Sequence, residues 1–288
     1  MYMKIILSRK GFDSSNGGYP SPIFPDDQIM SLPIPSSPSP TTIRKLYADR
    51  QDLGKIVEEL TKGKVTRKEE IHLDPDLDSN ALAREHGWRP AFGQTNAAQT
   101  HLENHDVGLG DLFLFFGWFR EVELSKHGRW QYKPHAPNLH VIFGWLQIAE
   151  ILKVGNKTAP FKKEYPWLAR HPHLHGCRDS NNTIYVGTGT HPKNKKDVKN
   201  LGGGIFRSIK ETLILTDPSQ HKRSFWKLPH WFYPTQDKMP LSYHSDLTRW
   251  HRTADGFTRL QSVAKGQEFV LDAAQYPEIK TWIVSLFK

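Results

Sequence analysis

Apolar residues fall in this chain as short β-rich runs set between glycine, proline and charged turns. The first run, Met3–Leu7, ends abruptly in Ser8-Arg9-Lys10-Gly11-Phe12-Asp13 and a Ser/Asn/Gly loop. Two extended segments then flank the turn signal Pro25-Asp26-Asp27, and Ser36–Thr42 is a short Pro/Ser linker ending in good N-cap residues. Ile43, Leu46, Tyr47, Leu53, Ile56, Val57 and Leu60 recur at helical spacing, which predicts one helix within Thr42–Thr61, or two with a break near Gly54. Phe92–Leu102 predicts a helix opening after Gly93, with Gln94, Ala98, His101 and His105 near one face.

The strongest strand signal is Gly110–Glu123, and His140–Leu152 reads as its partner. Phe-Gly-Trp occurs in both, at Phe116–Trp118 and Phe143–Trp145, and a mid-strand glycine marks a bulge or a close backbone approach. Asn182–Gly187 predicts a buried strand, Gly202–Phe206 a turn leading into a strand at Thr212–Thr216, and Tyr276–Lys288 a closing amphipathic helix. The sum is an α+β fold: a single mixed, largely antiparallel sheet domain over residues 1–288, with the 36–42 linker inside it and helices packed around it. The aromatic hairpin is similar to the barrel strands of PUA-like domains such as the ASCH and EVE modules. That likeness implies a PUA-like barrel portion and a pocket for modified bases.

Composition narrows the class. With 37% hydrophobic and 11% aromatic residues in 288, the chain can bury a substantial core. Its net charge of +9 favours phosphate-bearing partners: nucleic acid, nucleotides or anionic membranes. A single cysteine, Cys177, excludes an intrachain disulfide framework and fits a reducing compartment. No signal-peptide pattern opens the chain, and the apolar stretches near Leu112–Phe119 and Val141–Leu146 are too short to span a bilayer, so the expectation is a cytoplasmic protein.

Several clusters carry possible chemistry. Asp74, Asp76 and Asp78 alternate in a way that suits a hard cation, but they lack the glycine and distal glutamate of a calcium loop. Helix capping or a solvated turn is the competing role. On an extended segment His171, His173, His175 and Cys177 would share one face and could converge on zinc, although most structural zinc sites use two separated ligand pairs. The alternatives are a surface strand or contacts to phosphate and base, and no cofactor is expected. Lys193, Lys195, Lys196 and Lys199 form the densest basic loop, and Ser224–Pro234 interleaves aromatic with basic residues as base-stacking platforms do, or as a core cluster does. Neither glycine-rich segment fits a Walker A or dinucleotide fingerprint.

The run KIILSRKGFDSSNGG…PSPI…SLPIP, the GDLFLFFGWF and HVIFGWLQIAEIL strands and the tail GQEFVLD resemble the nucleotide modification associated domain family, third type. The resemblance implies a setting of nucleic-acid base modification without a reaction or a catalytic list. The leading expectation is an enzyme, glycosylase- or transferase-like, acting on a flipped base in DNA or RNA. Asp13, Glu268, Asp272 and His101 are its catalytic candidates. Ser8, Arg9 and Lys10, with Lys193, Lys195 and Lys196, would hold phosphate, and Gln94, Gln99 and Gln267 would read a base edge. The alternatives are a non-catalytic reader with a pocket of Trp118, Trp145 and Trp226, and an enzyme on free nucleotides.

Overall fold

The computed structural model describes residues 3–46, 52–189 and 201–288. In chain order its strands are β1 (Lys4–Arg9), β2 (Ser21–Ile23), β3 (Ile34–Pro35), β4 (Ile71–His72), β5 (Ala91–Gln94), β6 (Leu112–Leu124), β7 (Trp130–Tyr132) and β8 (Leu139–Gln147). They continue with β9 (Glu150–Lys153), β10 (Thr183–Val186), β11 (Gly203–Ile205), β12 (Phe225–Pro229), β13 (Trp250–Arg252), β14 (Phe257–Gln261) and β15 (Glu268–Asp272). The helices are α1 (Leu53–Leu60), α2 (Asn96–Asn104), α3 (Thr158–Glu164) and α4 (Ile279–Leu286). The main sheet runs β11-β8-β6-β1-β15, with β2 and β7 also on β6, and smaller sheets β5-β10-β9, β12-β14-β13 and β3-β4 stand beside it. Within the main sheet β1 and β2 pair parallel to β6 and the other pairings are antiparallel. This is the expected α+β class. No described helix is long and apolar enough to cross a membrane.

The core sits on β6. Phe113, Phe115, Phe116 and Phe119 are all buried, and a strand covered on both faces reads as the continuous apolar run seen in the sequence. Its register with β8 slips between Phe115 and Phe116, a bulge beside the paired Phe-Gly-Trp segments. A Cβ on Gly117 would stand 2.8 Å from the Lys10 carbonyl oxygen, so glycine lets the chain leaving β1 lie against β6. The Lys10 N–H donates to the Phe116 carbonyl at 2.9 Å. That contact fixes where the polar loop starts.

Four local expectations change. Within 42–61 the structure has a 3₁₀ turn at Ile43–Lys45 and then α1, whose first free N–H groups are met by Asp52: its Oδ1 accepts from the Lys55 N–H at 3.0 Å. Gly54 therefore lies inside α1. Ala91–Gln94 is a strand paired with β10, and α2 begins only at Asn96, which takes Gln94 off the helical face of His101. The run His140–Leu152 is two strands in two sheets, turned at Ile148 and Ala149. Residues 212–216 hold a 3₁₀ turn and isolated bridges in place of a strand.

Candidate functional site

A polar cleft of about 390 Å³ opens where the loop after β1 meets the end of β4, the end of β5 and the histidine-rich segment before β10. Its floor is a carboxylate surrounded by imidazoles. Asp74 follows β4 by two residues and is almost fully buried; its Oδ1 accepts from the Gly93 N–H of β5 at 2.9 Å. His72 Nε2 lies 3.5 Å and His173 Nε2 3.4 Å from Oδ2, while His171 Nε2 lies 3.4 Å from Oδ1. These spacings are long for direct hydrogen bonds and close for charge interaction. Burial opposes ionisation of Asp74, but the facing imidazoles outweigh it and hold the carboxyl well below the usual carboxylate range.

The same charge acts back on the rings. Burial would lower His173, yet the Asp74 carboxylate, with smaller help from Cys177 and Asn182, raises it to about 10. For His171 burial wins and the ring is lowered. Cys177 is lowered, first by its interaction with His173 and against its own partial burial. His173 Nδ1 meets Asn182 Oδ1 at 2.7 Å; since that oxygen only accepts, Nδ1 carries the proton and Nε2 is presented to Asp74. A Cβ at Gly93 would overlap the His173 ring, so glycine at this strand position sets how closely the ring packs.

A second buried carboxylate lies beside the cleft. Glu268 Oε1 accepts from Gln94 Nε2 at 2.7 Å and pairs with Lys10 Nζ at 2.9 Å. Its Oε2 is buried with no hydrogen-bond partner among the described residues. Lys10 also reaches Gln267 Oε1 at 3.3 Å and lies 4.7 Å from the centre of the Phe92 ring. Strand alternation explains why Lys10 and Arg9 part company. Ser8 is paired with Glu268 and Leu7 with Phe269, so Lys10 shares the Glu268 side and Arg9 the Phe269 side.

Of the residues singled out in the sequence, Arg9, Lys10, Asp13, Asp74, Gln94, Gln267, His173, His175 and Cys177 line the cleft, and Glu268 lies behind Lys10 and Gln94. Several have other employment. Arg9 donates to the carbonyls of Ala264 and Val263 at 2.8 and 2.7 Å and stacks on Phe116 and Phe269, which ties the 263–264 loop to β1. Asp13 Oδ1 accepts from the Ser15 and Asn16 N–H groups at 2.7 and 2.6 Å, an Asx turn that shapes its own loop. Ser8 is fully buried, its Oγ without a partner among the described residues.

The rest do not converge. Trp226 is fully buried and Trp145 nearly so, both within the core, while Trp118 carries the Arg223 guanidinium over its ring; the three form no common pocket. His101 bonds Ser242 and stacks on Tyr243, and Asp272 caps the turn after β15 at the end of the strand away from Glu268. Gln99 is buried under Tyr185. Within 171–177 a 3₁₀ turn, Pro172–Leu174, interrupts the chain, so its histidines do not alternate along a strand face; His175 Nε2 meets the Ala169 carbonyl. The three aspartates also separate: Asp76 is clamped by Arg84 and Asp78 pairs with Arg207. Lys193, Lys195 and Lys196 lie outside the described residues.

His72 was missed. The signal was present: in an extended His72-Leu73-Asp74 the first and third side chains share a face.

No curated protein and no solved structure matches this chain. Residues 4–272 match the family model described as nucleotide modification associated domain 3. The chain belongs to that family.

Proposed function

We propose, from that membership and the shape of the cleft, that this protein is an enzyme that modifies a base, of a nucleic acid or of a free nucleotide, with the reacting group placed over His72, Asp74 and His173. The observation that carries the reading is the imidazole–carboxylate cluster at the floor of a cleft of about 390 Å³. That volume lies in the range of small-molecule sites, where a few convergent polar groups fix orientation. Gln267 accepts from Lys10 through Oε1, and its amide nitrogen donates to none of the described residues, which suits it to the edge of a base. The positive net charge supports a phosphate-bearing substrate. The core positions of Trp145 and Trp226 move base recognition from stacking on tryptophan to hydrogen bonding in the cleft.

The only cysteine lines the cleft and gives a direct assay. Alkylation of Cys177 by iodoacetamide, followed by mass spectrometry, is expected to slow when a nucleotide or an oligonucleotide occupies the site. Protection by an oligonucleotide should weaken as salt rises. An unchanged alkylation rate across nucleotides, single-stranded DNA and RNA would overturn the proposal. Protection with every nucleoside recovered intact would replace the enzyme with a reader of bases.

A further inference from the structure

We infer that His72, Asp74 and His173 form a binding site for one divalent first-row transition ion, with zinc suited by the donor set of two imidazoles and a carboxylate, and with an open position facing the cleft. The three side chains offer ligand atoms that all lie within 4.8 Å of one another. Two edges of that triangle are resolved, from Asp74 Oδ2 to His72 Nε2 at 3.5 Å and to His173 Nε2 at 3.4 Å. Ligands bound about 2.1 Å from a tetrahedral ion stand about 3.4 Å apart. Around an octahedral ion at the same bond length the neighbouring ligands would be about 3.0 Å apart. The observed edges match the four-coordinate case.

The surroundings are those a metal site needs. Gly93 N–H engages Asp74 Oδ1 and leaves Oδ2 toward the two imidazoles. Asn182 holds the Nδ1 proton of His173, which makes Nε2 the donor nitrogen, as outer partners of metal-bound histidines do. Asn182 is itself fixed, with Nδ2 donating to the His173 carbonyl at 2.8 Å. A further buried donor points at the same carboxylate: His171 Nε2 has no hydrogen-bond partner among the described residues and sits 3.4 Å from Oδ1. Three protein ligands and an opening onto a cleft are the pattern of a catalytic ion rather than a structural one. This site differs from the strand-borne tetrad considered in the sequence, of which only His173 remains.

The inference takes the cleft as the working site, as the proposed function does, but its test uses no nucleotide. Chelator-treated full-length protein titrated with zinc chloride in a calorimeter should bind one equivalent. His72→Ala should weaken that binding at least about 100-fold. His101→Ala, in a second histidine cluster, should leave it unchanged. Loading with cobalt(II) gives an independent readout, because four-coordinate cobalt absorbs strongly in the visible and the band should vanish in His72→Ala. His72 is partly exposed on a short strand, and His72→Gln with a melting curve controls for folding. Absence of zinc binding, or equal affinity in a folded His72 variant, overturns the inference. Zinc binding without nucleotide protection of Cys177 would instead overturn the nucleotide reading alone.

Discussion

Glu268 and Phe269 are neighbours on β15, yet they belong to two different environments. On one side Glu268 meets Lys10 and Gln94 behind the polar cleft. On the other, Phe269 packs among Phe116, Trp226 and His244. Both sides contain buried histidines, and a facing carboxylate overturns the effect of burial in one of them, His173, though not in His171. His140 accepts from Trp226 Nε1 at 3.0 Å and has aromatic neighbours, so burial holds it well below its ordinary value. His244 uses Nδ1 toward the Ser242 carbonyl and Nε2 toward the Val263 N–H, and burial pushes it down to about 4. His173 is buried too, but it faces Asp74 and is raised to about 10. One face keeps its histidines neutral and structural; the other gathers them round a charge beside open space.

The largest effect should come from breaking the charge pairing on the cleft face. Lys10→Met leaves Glu268 buried with its cation gone, which should cost about 3–5 kcal/mol in urea unfolding. Adding Glu268→Gln removes the unpaired charge while keeping the acceptor for Gln94, so the double variant should recover most of that loss. If the two single costs simply add, the pair is not coupled and the two faces differ less than their geometry implies.

The aromatic face should answer to acid. His244 is depressed in the folded protein, so above about pH 6.5 it is neutral in both states and contributes no pH dependence. As pH falls from there toward 4 the unfolded chain takes up the proton first, and stability is lost across that window. The loss from this ring should reach about 2 kcal/mol at pH 5. His244→Gln should therefore lose less stability than the wild type between pH 7 and pH 5 in urea titrations. Equal losses would mean that the ring is not held neutral by its surroundings.

Much of the aromatic face was legible in the sequence, because a doubly covered strand must be apolar without interruption and β6 carries no polar side chain from Leu112 to Phe119. The bulge beside the Phe-Gly-Trp segments was legible for the same local reason. The cleft was legible in pieces. Arg9, Lys10, Asp13, Gln94, Gln267 and Glu268 stood out by residue type, but their grouping depends on β1 pairing with β15 across the length of the chain. Two of the three tryptophans chosen for stacking, Trp145 and Trp226, proved to be core because large aromatic rings fill interiors as readily as they bind bases. The histidine turn was misread as a strand although Pro172 starts its 3₁₀ turn, and the aspartates drew attention away from the histidine two residues before the first of them.

Asp13 gives the smallest and most discriminating effect, because residue type made it a leading catalytic candidate. One carboxylate oxygen already receives two backbone N–H groups of its own loop. Asparagine keeps an oxygen able to accept both, so Asp13→Asn should cost less than about 1 kcal/mol. Asp13→Ala, which abandons two N–H groups in a partly exposed loop, should cost about 1–2 kcal/mol. The charge itself faces Arg9 and Arg223, both of which it helps keep protonated against burial. If Asp13 acts through loop shape, Asp13→Asn will retain Cys177 protection by nucleotide while Asp13→Ala weakens it. If the carboxylate takes part in chemistry, Asp13→Asn will bind as the wild type does and release no modified base, and the working groups of the cleft would then extend from its histidine floor to its rim.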